Sequence, residues 1–247
     1  MTSRLVAEHI TKGFGDKTII DKVSIRADRG ELVSLLGVSG AGKTTLFNCI
    51  SGIYDPDDGQ VLLDGEDITG ETGRISYMLQ KDLLLPHKKV VDNVALPLIL
   101  RGTSKEEARA KAMSHFGEFG LEGTEEMWPS QLSGGMRQRA ALLRTYMFSD
   151  KVALLDEPFS ALDTITRSRM HRWYLDVMEE IKLTTLFITH DIDEAIMLSD
   201  RIYILAGRPG RIAGELTIER PRTERGDFEL TEEFLDYKRK ITDLLDR

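Results

Sequence analysis

Three short stretches of this chain combine residue types and spacings suited to handling a phosphate ester. The first is GVSGAGKTT, in which Gly37 and Gly42 bracket a short turn that runs into Lys43 and Thr44. Glycines let successive backbone N–H groups face inward, so Gly37, Val38, Ser39, Gly40, Ala41, Gly42, Lys43, Thr44 and Thr45 form a cradle for phosphate oxygens. Lys43 is expected to reach the outer phosphates, and the Thr44 hydroxyl to ligate Mg²⁺. The second stretch is VALLDE, an apolar run closed by Asp156 and Glu157. Such a run suits a strand covered on both faces, whose carboxyl end is where ligands sit. Asp156 is placed to hold Mg²⁺ through water, and Glu157 to orient or deprotonate an attacking water. The third is LSGGMRQR, where Ser133, Gly134 and Gly135 head a helix and offer a second anion site. A plainer alternative stands beside that one: Ser133 as an N-cap for its own helix.

These residues need a scaffold, and the hydrophobic pattern describes one. The first 35 residues read as strands, β-branched and broken by Gly and Asp turn signals. ELVSLLG leads straight into the cradle, TTLFNCISGI follows as a helix, and RISYML is a short strand ending at Gln80. From about 84 to 150 the spacing turns helical, with KVVDNVALPLIL followed by SKEEARAKAMSHFGEFGL, in which Ser104 and Glu107 mark an N-terminus. After the VALLDE strand come a helix over 165–181, the strand TTLFITH, the helix DEAIMLSD and the strand RIYILAG. Strands alternating with helices imply an α/β fold with a parallel sheet. The tail TEEFLDYKRKITDLLDR puts Phe234, Tyr237, Ile241, Leu244 and Leu245 on one helical face.

Composition narrows the function classes. The net charge of −8 disfavours a general nucleic-acid binder, which needs clustered Lys and Arg to neutralise phosphates. The lone cysteine, Cys49, has no internal partner and reads as a packed apolar side chain suited to a reducing cytoplasm. MTSRLVAEHI does not read as a signal peptide, and runs such as VALPLIL are too short to span a bilayer. A membrane role is therefore expected to come through a partner.

GVSGAGKTT, Gln80 at a strand end, LSGGMRQR, LLDEPFSALD and FITHD occur in the order of the ATP-binding cassette (ABC) ATPases, and the resemblance runs from Phe14 to about Gly210. It implies a P-loop NTPase core with a parallel sheet, an N-terminal antiparallel β-subdomain and a helical signature subdomain. The expected boundaries are 1–215 for the ATPase domain, with the helical part at about 84–150, and 216–247 for a helical tail. It also implies that two cassettes pack head to tail around two ATP, the Ser133–Gly135 segment of one copy closing on the cradle of the other. By the same resemblance Phe14 stacks on adenine, Gln80 touches Mg²⁺ and the attacking water, Asp163 meets the second subunit, and His190 contacts the γ-phosphate. His9, His87, His115 and His171 receive no role.

Within that family this chain resembles a separate cassette serving a membrane permease, with a solute-binding protein as an indirect partner. QKDLLLPHKKVVDNVALPLILRG resembles the permease-docking region, and GRPGRIAGELTIERPR looks most like the nitrate/sulfonate/taurine importer group. Members of that group often carry Trp after LLP, where this chain has His87-Lys88. The implied position is the cytoplasmic side of the membrane, held peripherally, with a small organic or inorganic anion or a vitamin-like precursor as the imported solute. Two other classes stay open at this point. One is a soluble ABC scaffold for assembly or regulation. The other is an unrelated P-loop GTPase or kinase, against which stands the absence of an NKxD guanine motif.

Overall fold

The computed structural model describes residues 3–149 and 151–245. The chain opens with strands β1 (Ser3–Phe14), β2 (Lys17–Asp28) and β3 (Leu32–Gly37), and helix α1 (Lys43–Ile50) follows the cradle. Strands β4 (Asp58–Leu63), β5 (Glu66–Asp67) and β6 (Ser76–Met78) lead to helices α2 (Val90–Leu100), α3 (Lys105–Met113) and α4 (Gly134–Phe148). Then strands and helices alternate: β7 (Val152–Asp156), α5 (Thr164–Ile181), β8 (Thr184–Thr189), α6 (Ile192–Leu198) and β9 (Arg201–Ala206). β10 (Arg211–Thr217) and α7 (Glu232–Leu245) complete the described chain.

Among the described residues the strands form two sheets, ordered β2-β1-β4-β5 and β10-β9-β3-β8-β7-β6. The first is antiparallel throughout. Its inward face alternates as a half-covered sheet should, burying Leu5, Ala7, Val23, Ile25, Val61 and Leu63. In the second sheet β6, β7, β8, β3 and β9 run parallel, and only β10 is antiparallel to its neighbour. Every residue of β3, β7 and β8 is buried, the consequence of cover on both faces. The cradle after β3 and the carboxylates of β7 therefore lie at the same, carboxyl end of neighbouring parallel strands.

Three apolar cores hold this arrangement. One joins α2, α4 and α5 to a face of the parallel sheet through Val94, Phe119, Leu143, Leu155, Tyr174 and Phe187. A second lies between the two sheets and α1, built on Ile10, Val33, Phe47 and Leu154. The third packs α6 and α7 around Ile204, Phe228, Phe234, Tyr237 and Ile241, with Leu244 and Leu245 at its margin. The apolar stripe read in the tail sequence is thus the buried face of α7.

Three local expectations shift. The helix opened by Ser104 stops at Met113 instead of running to Leu121, since Gly117 and Gly120 follow and Gly120 adopts a left-handed φ of 62°. The strand expected to end at Gln80 ends at Met78, leaving Gln80 on an irregular segment. β10 was not read as a strand, and residue 216, where the sequence suggests the tail begins, falls inside it.

Candidate functional site

The cradle is shaped by contacts that exclude side chains. Gly42 caps α1 with φ at 100°, and a Cβ there would stand only 2.5 Å from the Ile20 side chain, so only glycine serves. A Cβ on Gly37 would collide with the Leu205 carbonyl where β9 passes. Lys43 is buried and donates from Nζ to the Gly37 and Val38 carbonyls at 2.7 and 3.1 Å. Burial pulls its ammonium below the usual lysine range, and Glu157 and Asp156 oppose that pull. Lys43 therefore bridges the two ends of the loop, with Glu157 and Asp156 favouring its charged form.

Asp156 ends β7, and its Oδ2 accepts from the Thr44 hydroxyl at 3.2 Å. Burial pushes its carboxyl upward, with the Thr44 bond acting the other way. The Thr44 hydroxyl and the Asp156 carboxylate are hard-oxygen donors of the kind Mg²⁺ takes, and Gln80, in contact with the adjacent Glu157, offers an amide oxygen. A carboxyl whose charged form is disfavoured by burial and by the neighbouring Glu157 is also one that gains from a cation. These residues fit the metal expected for them.

Glu157 stands one residue further on, with φ at 47° in the left-handed region that non-glycine residues rarely enter. Its N–H donates to the Ile188 carbonyl at 3.1 Å, and its own carbonyl accepts from the Ser160 hydroxyl at 3.0 Å, so the backbone is fixed on both sides. The carboxylate is then gripped twice. Gln80 Nε2 donates to Oε2 at 3.1 Å, and His190 Nδ1 lies 3.1 Å from Oε1. The structure thus gathers three sequence-predicted residues, from the ends of β6, β7 and β8, around one carboxylate. They share a cavity of about 810 Å³ with Asp82, Arg137, Ala161 and Leu162.

The remaining predicted residues do not contact the Glu157 carboxylate. Ser133 caps α4, its Oγ accepting from Met136 N at 3.3 Å, and both Ser133 and Gly134 are exposed. Gly134 lines the same cavity as Glu157, but no cradle residue does. Gly135 is buried against Thr166 and Met170. Asp163 caps α5 by accepting from Thr166 N at 3.1 Å, and this bonding holds its carboxyl below the usual range. Phe14 is 49% exposed and meets Tyr54 edge-on at 5.4 Å. Below it, Asp57 binds Lys12 Nζ and Gly13 N, both at 2.7 Å. Cys49 is fully buried, and burial pushes its thiol up to about 11, as befits a packing residue.

Several supporting residues were not legible in the sequence. Arg144 of α4 donates to the Asp82 and Leu83 carbonyls, and Arg137 Nε approaches Asp82 Oδ2 at 3.3 Å. Together they clamp the segment after Gln80 onto the helix that Ser133 caps. Gln138 is buried and donates to the Pro158 carbonyl, tying the same helix to the loop after Glu157. Only the tertiary fold brings these stretches together, so no spacing rule signals them.

A phosphate cradle, a carboxylate pair ending a buried parallel strand, and a capped glycine-headed helix define a nucleotide-hydrolysing P-loop cassette. Comparison with known proteins agrees. The family model described as ABC transporter matches residues 20–160, and the chain belongs to that family, whose members are ATP-binding ATPases. A formylaminopyrimidine import ATP-binding protein of Halalkalibacterium halodurans is 43% identical over 214 residues, 87% of this chain and 83% of that protein. A nitrate import ATP-binding protein of Synechocystis sp. is 36% identical over 237 residues, 94% of this chain and 89% of that one. Among solved structures, a dimeric ATP-binding cassette in a post-hydrolysis state bound to ADP and Pi superposes with a TM-score of 0.72 at 29% identity, covering 88% of this chain and all of that one. Both the resemblance and the fold class read from the sequence hold.

Proposed function

We propose that this protein is the ATP-hydrolysing subunit of an importer, pairing with a second copy around two ATP and driving a small solute through a separate permease. The observation that carries this reading is Glu157, in a strained backbone conformation fixed by Ile188 and Ser160, with its carboxylate held by Gln80 and His190 beside the Thr44–Asp156 pair. A carboxylate so fixed can take a proton from water aimed at a phosphorus atom in the neighbouring cradle. Mg²⁺, when bound by Thr44, Asp156 and Gln80, neutralises charge on the phosphate oxygens. Lys43 binds the phosphate chain, Phe14 offers its open ring face to the base, and His190 orients the carboxylate and contacts the terminal phosphate.

Site sharing between copies follows from the exposed N-terminus of α4. Ser133 and Gly134 present donors to solvent, whereas the cradle lies outside the cavity that Gly134 lines. The positive end of a helix attracts phosphate, so α4 of one copy supplies what the cradle of the other lacks. Asp163, exposed at the start of α5, then faces the partner copy. Among the described residues no helix is long and apolar enough to cross a membrane. The relatives' description as import ATP-binding proteins supports a permease on a separate chain, with this subunit working peripherally on its cytoplasmic side. The names of the relatives support a nutrient such as nitrate or a formylaminopyrimidine-like compound as cargo.

Mixing two inactive variants tests the shared site. Lys43→Ala and Ser133→Arg should each abolish hydrolysis, while the mixture should recover about a quarter of wild-type turnover, because half the dimers are mixed and each retains one intact site of two. No recovery from demonstrated heterodimers would refute site sharing.

A further inference from the structure

We infer that Arg208 is a further nucleotide-binding residue, its guanidinium held over Gly40 so as to attract the phosphate chain seated in the cradle. The inference rests on the reading of Gly37–Thr45 as the phosphate site. Four observations carry it. First, the turn between β9 and β10 lies directly on the cradle. A Cβ on Gly37 would strike the Leu205 carbonyl, and one on Gly210 would strike the Ala41 carbonyl, so both glycines are required for the two segments to touch.

Second, that turn is fixed by its backbone. Gly210 N donates to the Ile19 carbonyl at 2.8 Å, the Gly210 carbonyl accepts from Asp21 N at 3.0 Å, and Gly207 takes a left-handed φ of 83°. Arg211 adds an ion pair with Asp21, Nε to Oδ2 at 2.9 Å. Third, Arg208 Nη2 lies 3.5 Å from the place a Cβ on Gly40 would occupy, within a short reach of the loop backbone. Fourth, Arg208 is exposed and, among the described residues, has no hydrogen-bonded or ion-paired partner. Its neighbours are neutralised: Arg201 by Glu31 and Glu215, Arg211 by Asp21. A planar five-donor cation left unpaired beside a phosphate cradle has an anion as its natural complement.

The expected size follows from charge separation. A guanidinium about 6–8 Å from a phosphate charge, in surroundings between protein and water, changes binding by about 3- to 30-fold. Equilibrium dialysis of full-length protein with Mg·ATP and Mg·ADP reads it directly. Arg208→Ala and Arg208→Gln should both weaken ATP and ADP binding by that factor, and Arg208→Lys should keep most of the affinity. The wild-type advantage should shrink between about 50 mM and about 300 mM salt, because an exposed charge is screened. The melting temperature should be unchanged in all three variants, since the turn is held by its backbone. Affinity in Arg208→Ala equal to wild type, or full recovery in Arg208→Gln, overturns the inference. Lys43→Ala distinguishes the two levels: if it too binds ATP normally, the cradle reading itself fails, whereas loss there with Arg208→Ala unaffected removes Arg208 alone.

Discussion

Replacing Glu157 by Gln isolates the chemical step from everything else at the site. The amide keeps the size of the carboxylate and retains an oxygen to accept from Gln80, 3.1 Å away. The backbone bonds of residue 157 to Ile188 and Ser160 do not involve the side chain, so the strained turn should persist. What disappears is one negative charge and the ability to take a proton. General-base catalysis is worth about 10²- to 10⁴-fold, or ~3–5 kcal/mol of barrier, and kcat should fall by that factor. ATP affinity should hold or tighten, because the lost charge sits beside the cradle and repels phosphate. Phosphate release under saturating Mg·ATP measures the first effect, and equilibrium binding the second. Light scattering with ATP should then show a persistent dimer, since hydrolysis no longer removes the bridging nucleotide. A kcat within about tenfold of wild type would show that Glu157 does not act on water. A parallel loss of ATP affinity would show instead that the variant had disturbed the cradle.

Two further outcomes are expected. Asp156→Asn should abolish hydrolysis yet raise the melting temperature by about 1–3 °C near neutral pH. The sign follows from burial, which raises the folded carboxyl pKa: the penalty on its charge is absent below the unfolded carboxylate range, grows as pH climbs from there to the raised value, and is full above it. Calorimetry at neutral and acid pH checks it, and a lower melting temperature at neutral pH would refute it. Phe14→Leu should weaken ATP and GTP alike by about 5- to 100-fold, since a stacked base is worth ~1–3 kcal/mol and stacking does not read the ring edge. Competition binding with both nucleotides measures this, and loss confined to ATP would mean that another group recognises adenine.

The motifs and the fold were legible for one shared reason. Val152–Leu155 and Leu186–Ile188 are continuous apolar runs, and Leu32–Leu36 is interrupted only by Ser34; a strand covered on both faces buries such runs, and the chemistry sits at their carboxyl ends. Long-range contacts hid the rest. Gly214 argues against a strand by composition, yet it stands in β10 under the Leu244 side chain of α7, 2.6 Å from where its Cβ would lie. The helix read in KVVDNVALPLIL forms in spite of Pro97, but the sequence does not show that Asn93 in its first turn donates to the Leu85, Lys88 and Lys89 carbonyls. Arg137, Arg144 and Arg208 look like solvated charges until the fold sets them against Asp82, Leu83 and Gly40.

The two readings of Ser133 offered by the sequence prove compatible. As an N-cap its oxygen accepts from Met136 N, which uses a lone pair and leaves the hydroxyl proton free. That proton can donate to a phosphate arriving from outside while the cap stays in place. The cap also fixes the direction of the hydroxyl, so the residue that stabilises α4 is pre-oriented for its ligand. Arg137 and Arg144 bind the same helix to the segment that carries Gln80. A phosphate pulling on Ser133 therefore pulls on a body already tied to Gln80, and through Gln80 to Glu157. On the proposed reading, closure of a second copy and alignment of the Glu157 carboxylate would be one mechanical event, so neither half should hydrolyse ATP efficiently without the other.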